Sequence, residues 1–104
     1  MAVLTRVRVV GPSMEPTLSN DDWWIVRRTS RVRAGDVVLL VHPQRPDALV
    51  VKRAVRRDAD GWWVLGDNPD ASEDSRQFGP VPEANVVGRL WWRYRPLRRS
   101  DGGG

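Results

Sequence analysis

The chain has no cysteine, which excludes a disulfide framework, a thiol nucleophile and a cysteine-based zinc site. Histidine is nearly as scarce. His42 stands alone, so a multi-histidine metal centre is excluded, and a Ser-His-Asp enzyme would have to use that residue. Lysine also occurs once, as Lys52, among sixteen arginines. Long apolar runs are lacking. Val37–Val41 is the longest aliphatic stretch, far short of the ~20 residues of a membrane-spanning helix. Arg6 and Arg8 interrupt the apolar segment Met1–Val10, which therefore lacks the unbroken core, roughly 7–15 residues long, of a secretory signal peptide. These absences predict a cytoplasmic protein without a transmembrane anchor, and neither a metal nor another cofactor is expected.

What is present suits one domain. The 104 residues suffice for a single modest core. At 40% hydrophobic and 29% charged, the composition is globular and argues against disorder. The catalytic domain is expected over residues 1–97, with a flexible tail at 98–104. The net charge of +4 reads either as a solvated arginine surface or as a contact for an anionic partner.

Short strand-like runs alternate with turn signals along the chain. Ala2–Val10 alternates apolar with Thr or Arg, the period-2 pattern of a half-buried strand. Asp22–Arg28, Val37–Val41, Leu49–Arg56, Trp62–Leu65 and Asn85–Arg95 read as further strands. Val37–Val41 is apolar throughout, as a strand buried on both faces would be. The segment His42–Asp47 holds Pro43 and Pro46 and is expected to be a loop, because proline cannot donate to a ladder. Asp58–Gly61 reads as a hairpin turn, and Gly66–Pro82 as a long polar loop. No amphipathic helix is evident. The predicted fold class is all-β, mostly antiparallel, a barrel or sandwich with little helix. Trp occurs in pairs at 23–24, 62–63 and 91–92. Adjacent strand residues face opposite sides, so each pair is expected to send one ring inward and one outward, the outer ring being sheet surface or a platform for a partner or membrane interface.

Two residues carry candidate chemistry. Ser13 follows the strand break at Gly11-Pro12 and precedes a tight Met-x-Pro segment, a geometry that holds a hydroxyl out of the sheet. A serine is a weak nucleophile and needs an adjacent base; alone, this one also reads as a turn residue. Lys52 sits among Leu49, Val50, Val51, Ala54 and Val55. Burial there would disfavour the ammonium form, whereas arginine at the same place would stay protonated. A solvent-facing lysine is the competing reading. His42, in the proline-rich segment, is the other candidate base and has no distinctive partner nearby in sequence.

Four segments in order, Gly11–Leu18, Val51–Val55, Gly66–Val81 and Val87–Arg89, resemble the signal peptidase I family of Ser–Lys proteases. That family includes bacterial leader peptidases and mitochondrial inner-membrane peptidases, and the similarity runs from Val9 to Arg89. Ser-Met-x-Pro-Thr-Leu is moderately specific. The loop Gly-Asp-Asn through Ser-x-Asp-Ser-Arg to Gly-Pro-Val is highly specific. The resemblance implies a signal peptidase- or LexA-like β architecture, with Ser13 as nucleophile and Lys52 as general base. It implies that Ser72 orients the lysine amine and that Asp74 and Arg76 form an ion pair bracing the site. Asp67 and Asn68 match the start of the loop and read as structural; Gly88 matches a glycine near the end of the fold. The substrate is expected to bind as an extended strand with small residues at the first and third positions before the cut. The matching pocket positions are Val9, Met14, Leu18, Val50 and Val51, for each of which core packing is the competing reading. Gly11 stands where several members carry a serine that donates to the oxyanion.

Length, absence of an anchor and motif set look similar to the maturation proteases of nickel superoxide dismutase. The expected partner is thus a precursor protein carrying a short N-terminal propeptide, probed most directly with that precursor. A leader peptidase docking peripherally on a membrane through Trp and Arg is the first alternative. A non-enzymatic β-domain binding single-stranded nucleic acid is the second, but it leaves Lys52 and Asp74-x-Arg76 unexplained, so no nucleic-acid partner is expected. A self-cleaving repressor domain would need a cleavable segment upstream, and only twelve residues precede Ser13.

Overall fold

In a computed structural model, residues 3–94 are described; the tail expected at 98–104 lies outside them. The period-2 segments form strands β1 (Val3–Arg8), β2 (Trp23–Arg28), β3 (Val37–His42), β4 (Arg45–Asp58), β5 (Gly61–Leu65) and β6 (Val86–Tyr94). They build one six-stranded sheet in the order β1-β2-β6-β3-β4-β5, with every neighbouring pair antiparallel. The all-β, mostly antiparallel expectation holds. The helix in the long loop is a single turn, α1 (Ser75–Phe78).

Strand β3 is apolar over Val37–Val41 because both of its sides are covered. Val38, Leu40 and Ala54 pack with Trp62, Val64 and Val81, backed by Phe78. Val37 and Val51 pack instead against Val9, Met14 and Leu18, with Trp24 and Leu90. The segment after β1 is therefore not a free loop. Met14 and Leu18 are fully buried, each contributing about 1.5–3 kcal/mol relative to exposure, and they pin the segment bearing Ser13 onto the sheet. The two ends of that segment are also joined by backbone bonds between Val9 and Asp21–Asp22.

Two expectations need correction. The loop expected at His42–Asp47 is mostly strand, since β3 runs through His42 and β4 begins at Arg45. Pro46 is tolerated because the register jumps from His42↔Arg45 to Val41↔Leu49. Residues 46–48 bulge out of the ladder, where no donor is required. The hairpin turn expected at Asp58–Gly61 is present: those two residues pair across β4 and β5, and Gly61 takes a positive φ (123°). The Trp91–Trp92 pair does not split between the faces: both rings are mainly exposed, 52% and 64%. The register slip between Ile25 and Val26 skips Trp91, so alternation fails there, and the two rings pack 6.4 Å apart.

Leu18→Ala should cost about 2–5 kcal/mol, as for a truncated core side chain. A cost under about 1 kcal/mol in denaturant unfolding would mean that Leu18 is not a core anchor.

Candidate active site

β4 is longer than its partner β5. Pairing with β5 begins only at Arg53↔Leu65, so over Leu49–Lys52 the edge of β4 away from β3 is free of strand partners among the described residues. There it faces the end of β1 across a cleft of about 200 Å³, lined by Val7–Val10, Ser13, Met14 and Leu49–Lys52. Two strands that are not neighbours in the sheet thus bring Ser13 and Lys52 to one concavity.

Lys52 is 5% exposed. Burial lowers its pKa from the ordinary 10.5, partly offset by the charges of Asp74 and Glu73. Its amine donates to Ser72 Oγ at 3.3 Å, and the Ser72 hydroxyl donates in turn to Asp74 Oδ2 at 3.1 Å. Asp74 has no solvent exposure. Burial alone would raise its pKa. The Arg76 guanidinium (3.0 and 2.8 Å), the amides of Gly66 and Arg76 and the Ser72 hydroxyl outweigh burial and hold the carboxyl far below the usual range. Asp74 also caps α1 in a reciprocal capping box with Gln77. The loop geometry that aims Ser72 at Lys52 is thus fixed by one carboxylate.

A second carboxylate ties the nucleophile segment to β4. Asp67 accepts both Nε and Nη2 of Arg53 at 2.9 and 2.7 Å and the Thr17 hydroxyl at 2.7 Å. The bond from Arg53 is the main cause of its lowered pKa. Asn68 holds the same segment, its backbone N–H donating to Ser13 O (2.8 Å) and its side chain to Pro12 O (3.1 Å). Gly66 makes this closeness possible. A Cβ there would lie 2.6 Å from Ser72 Cβ and 2.7 Å from Ser13 O.

Of the expected pocket residues, Val9, Met14, Val50 and Val51 line the cleft together with Ser13 and Lys52. Leu18 does not; it is a core residue. Gly11 is not on the lining either, and its N–H donates to Asn20 Oδ1 at 2.7 Å. Val7, Arg8, Val10 and Leu49 line the cleft without having been singled out from sequence; β1 ending directly at Ser13's segment was the available signal. His42 stands apart from the cleft, buried in β3 against Phe78. Its Nδ1 accepts the Gln44 N–H (3.0 Å), so Nε2 carries the proton and donates to Glu73 Oε1 (3.0 Å). Arg45 also pairs with Glu73, which lies between Ser72 and Asp74 and ties their loop to the β3–β4 hairpin. No run of sequence announces that contact.

Two outcomes follow. Gly66→Ala should cost about 1–3 kcal/mol of stability by forced displacement of well-packed atoms, read by denaturant unfolding. The depressed pKa of Asp74 gives stability that is complete above its ordinary value of 3.8 and is lost as pH falls further. Unfolding measured from neutral pH to about pH 2 should therefore show an acid limb that is shallower in Asp74→Asn; an identical slope would dissociate Asp74 from acid sensitivity.

Residues 4–90 match the family model described as Peptidase S24-like. Mitochondrial inner membrane protease subunit 1 of Xenopus tropicalis is 33% identical over 111 residues, covering 84% of this chain and 66% of that protein. Subunit 1 of Homo sapiens is 31% identical, covering 84% and 67%. Subunit 2 of Mus musculus is 34% identical, covering 81% and 65%. The chain thus spans about two thirds of the length of these relatives, which belong to the mitochondrial branch of the signal peptidase resemblance. With the family match running from β1 into β6, the chain belongs to the peptidase S24-like family of serine endopeptidases.

Proposed function

We propose that this chain cleaves a precursor protein with Ser13 as nucleophile and Lys52 as general base, removing a short N-terminal propeptide. The nickel superoxide dismutase precursor is the proposed substrate, and the cytoplasm the proposed compartment. The observation that carries the reading is a buried amine, held by Ser72, in the cleft that Ser13 also lines. A lysine is a base only when it can shed its proton, and burial makes that easier.

Neutral Lys52 takes the proton of Ser13 Oγ as Oγ bonds to the scissile carbonyl carbon. The oxyanion is met by the Ser13 backbone N–H, which has no acceptor among the described residues. The carbon–nitrogen bond then breaks, and protonated Lys52 returns its proton to the leaving amine. Water, deprotonated by Lys52, cleaves the ester and frees Ser13. With Gly11 in place of a serine, no side-chain donor stands at that position; loss of one such donor costs roughly 10²–10³ in rate. The free edge of β4 opposite the end of β1 suits a substrate added as a strand, with backbone bonds supplying affinity and the valines favouring small apolar side chains. Ser72, Asp74 and Arg76 position the amine.

A second reading is favoured by exposed Trp91 and Trp92 and by relatives named as inner membrane proteases. It has the same dyad acting on leader peptides at a membrane surface. Comparing cleavage of the two precursors with and without vesicles separates the readings.

Ser13→Ala and Lys52→Ala should each lower kcat/KM by about four orders of magnitude or more while the fold persists. Lys52→Arg should be equally inactive. Precursor processing followed by N-terminal mass analysis checks this, and near-normal processing by any of the three defeats the dyad. Since the neutral amine is the active form and its pKa is lowered, activity should rise with pH through a midpoint below 10.5. A profile flat from mildly acidic to alkaline pH contradicts the proposal. Ser72→Ala should slow cleavage about tenfold, the worth of one net hydrogen bond.

A further inference from the structure

We infer that Arg27, Arg31, Arg33 and Arg89 form a binding pocket for a phosphoryl anion, a site separate from the cleavage cleft. With Thr29 these residues line a concavity of about 330 Å³. Arg6 and Arg56 lie over the Trp23 and Trp63 rings, while Arg8, Arg45, Arg53, Arg57, Arg76 and Arg93 each pair with a carboxylate. None of the four pocket arginines does so among the described residues. Arg27 and Arg89 are direct cross-strand partners on β2 and β6, an arrangement in which like charges repel. The Nε of Arg89 is buried with no hydrogen-bond partner, although buried donors are nearly always satisfied. An anion in the concavity removes both penalties at once.

The backbone that carries the pocket arginines is held by hydrogen bonds. The Arg31 N–H donates to Thr29 Oγ1 (2.9 Å), which leaves the Thr29 hydroxyl hydrogen free to donate. The Arg33 N–H donates to Asp36 Oδ2 (2.9 Å), which fixes the turn that carries Arg33. Gly35 and Asp36 exchange backbone bonds with Ala54 (2.7 and 2.8 Å), and Arg53 Nη1 donates to Gly35 O (2.7 Å). Such preorganisation lowers the entropic cost of binding. Guanidinium forks match phosphate oxygens two at a time, and a compact concavity suits one phosphoryl or diphosphate group.

The surroundings admit two sources for that group. Leu4 pairs directly with Arg27 across β1 and β2. Leu4, Ile25, Trp91 and Trp92 line an adjoining apolar groove of about 580 Å³. The phosphoryl group therefore comes either from a small phosphorylated compound or from a lipid headgroup whose apolar part meets the groove.

Titration of the full chain with inorganic pyrophosphate at moderate salt, followed by the arginine Nε–H resonances and the thermal midpoint, tests the site. Saturable shifts at the four arginines and a rise in midpoint are expected. Affinity should drop at least about tenfold in Arg31→Gln/Arg33→Gln, two exposed loop positions, and stay unchanged in Arg56→Gln. Absence of saturable binding, or equal affinity in the double variant, overturns the site. Vesicles of phosphatidylglycerol distinguish the sources. Sedimentation that pyrophosphate competes away and the double variant loses assigns a headgroup, whereas pyrophosphate binding without sedimentation assigns a soluble compound.

Discussion

The Asp74 carboxylate is removed from water and stays charged, which is sustainable only inside a shell of donors. An unpaired buried ion would cost several kcal/mol. Here two guanidinium bonds, two amides and a hydroxyl supply the shell. The donors come from three pieces of the site: Gly66 begins the loop, Ser72 meets the lysine, and Arg76 lies in the first turn of α1. One charge thereby fixes three positions. Because Ser72 spends its proton on Asp74, its oxygen is left to accept from Lys52, which sets where the amine points. The same carboxylate favours the ammonium form of Lys52 while burial opposes it, so the balance between base and acid is set by the geometry that positions it.

The cleft arises from a mismatch of strand lengths. β4 must be long enough to pair with β3 along Leu49–Arg53 and with β5 along Arg53–Asp58. Over its first half the edge away from β3 is unpaired among the described residues. Unpaired edges invite another strand, and this one lies beside Lys52. The opposite wall is held by Met14 and Leu18 beneath and by Asp67 and Asn68 above, so the segment bearing Ser13 is clamped by packing on one side and by hydrogen bonds on the other. Together the two clamps fix where the Ser13 segment stands on the sheet.

Much of this was legible in the sequence, for identifiable reasons. Period-2 alternation in Val3–Arg8 and the apolar continuity of Val37–Val41 are properties of single strands, so they show in one dimension. The loop motif from Gly66 to Val81 is a run of residues that bond mostly to one another, and it shows for the same reason. What failed depends on register. Pro46 is compatible with β4 only because residues 46–48 bulge, and Trp91 and Trp92 share exposure only because the ladder slips opposite Ile25 and Val26. Leu18 and Val9 have the same character in sequence, yet one is sealed in the core and the other lines the cleft. The bond between Glu73 and His42 joins residues whose neighbours give no hint of each other. Nor does sequence reveal that Ser13 and Lys52 border one cavity, since that follows from the curvature of the whole sheet.

The choice between arginine and lysine runs through all of these sites by one rule. A guanidinium keeps its charge and offers a fork of donors, whereas an ammonium can be driven to neutrality. Arg53 and Arg76 face carboxylates two bonds at a time, where permanent charge is what holds Asp67 and Asp74 ionised. Arg27, Arg31, Arg33 and Arg89 line one concavity, where forked donors suit the phosphoryl anion proposed for it. Lys52 is placed where burial opposes its charge, and an amine, unlike a guanidinium, can respond by giving up its proton. Among the Lys and Arg side chains the sixteen arginines leave that property to position 52 alone, so an arginine there would keep the positive charge and, under the proposed mechanism, remove the base.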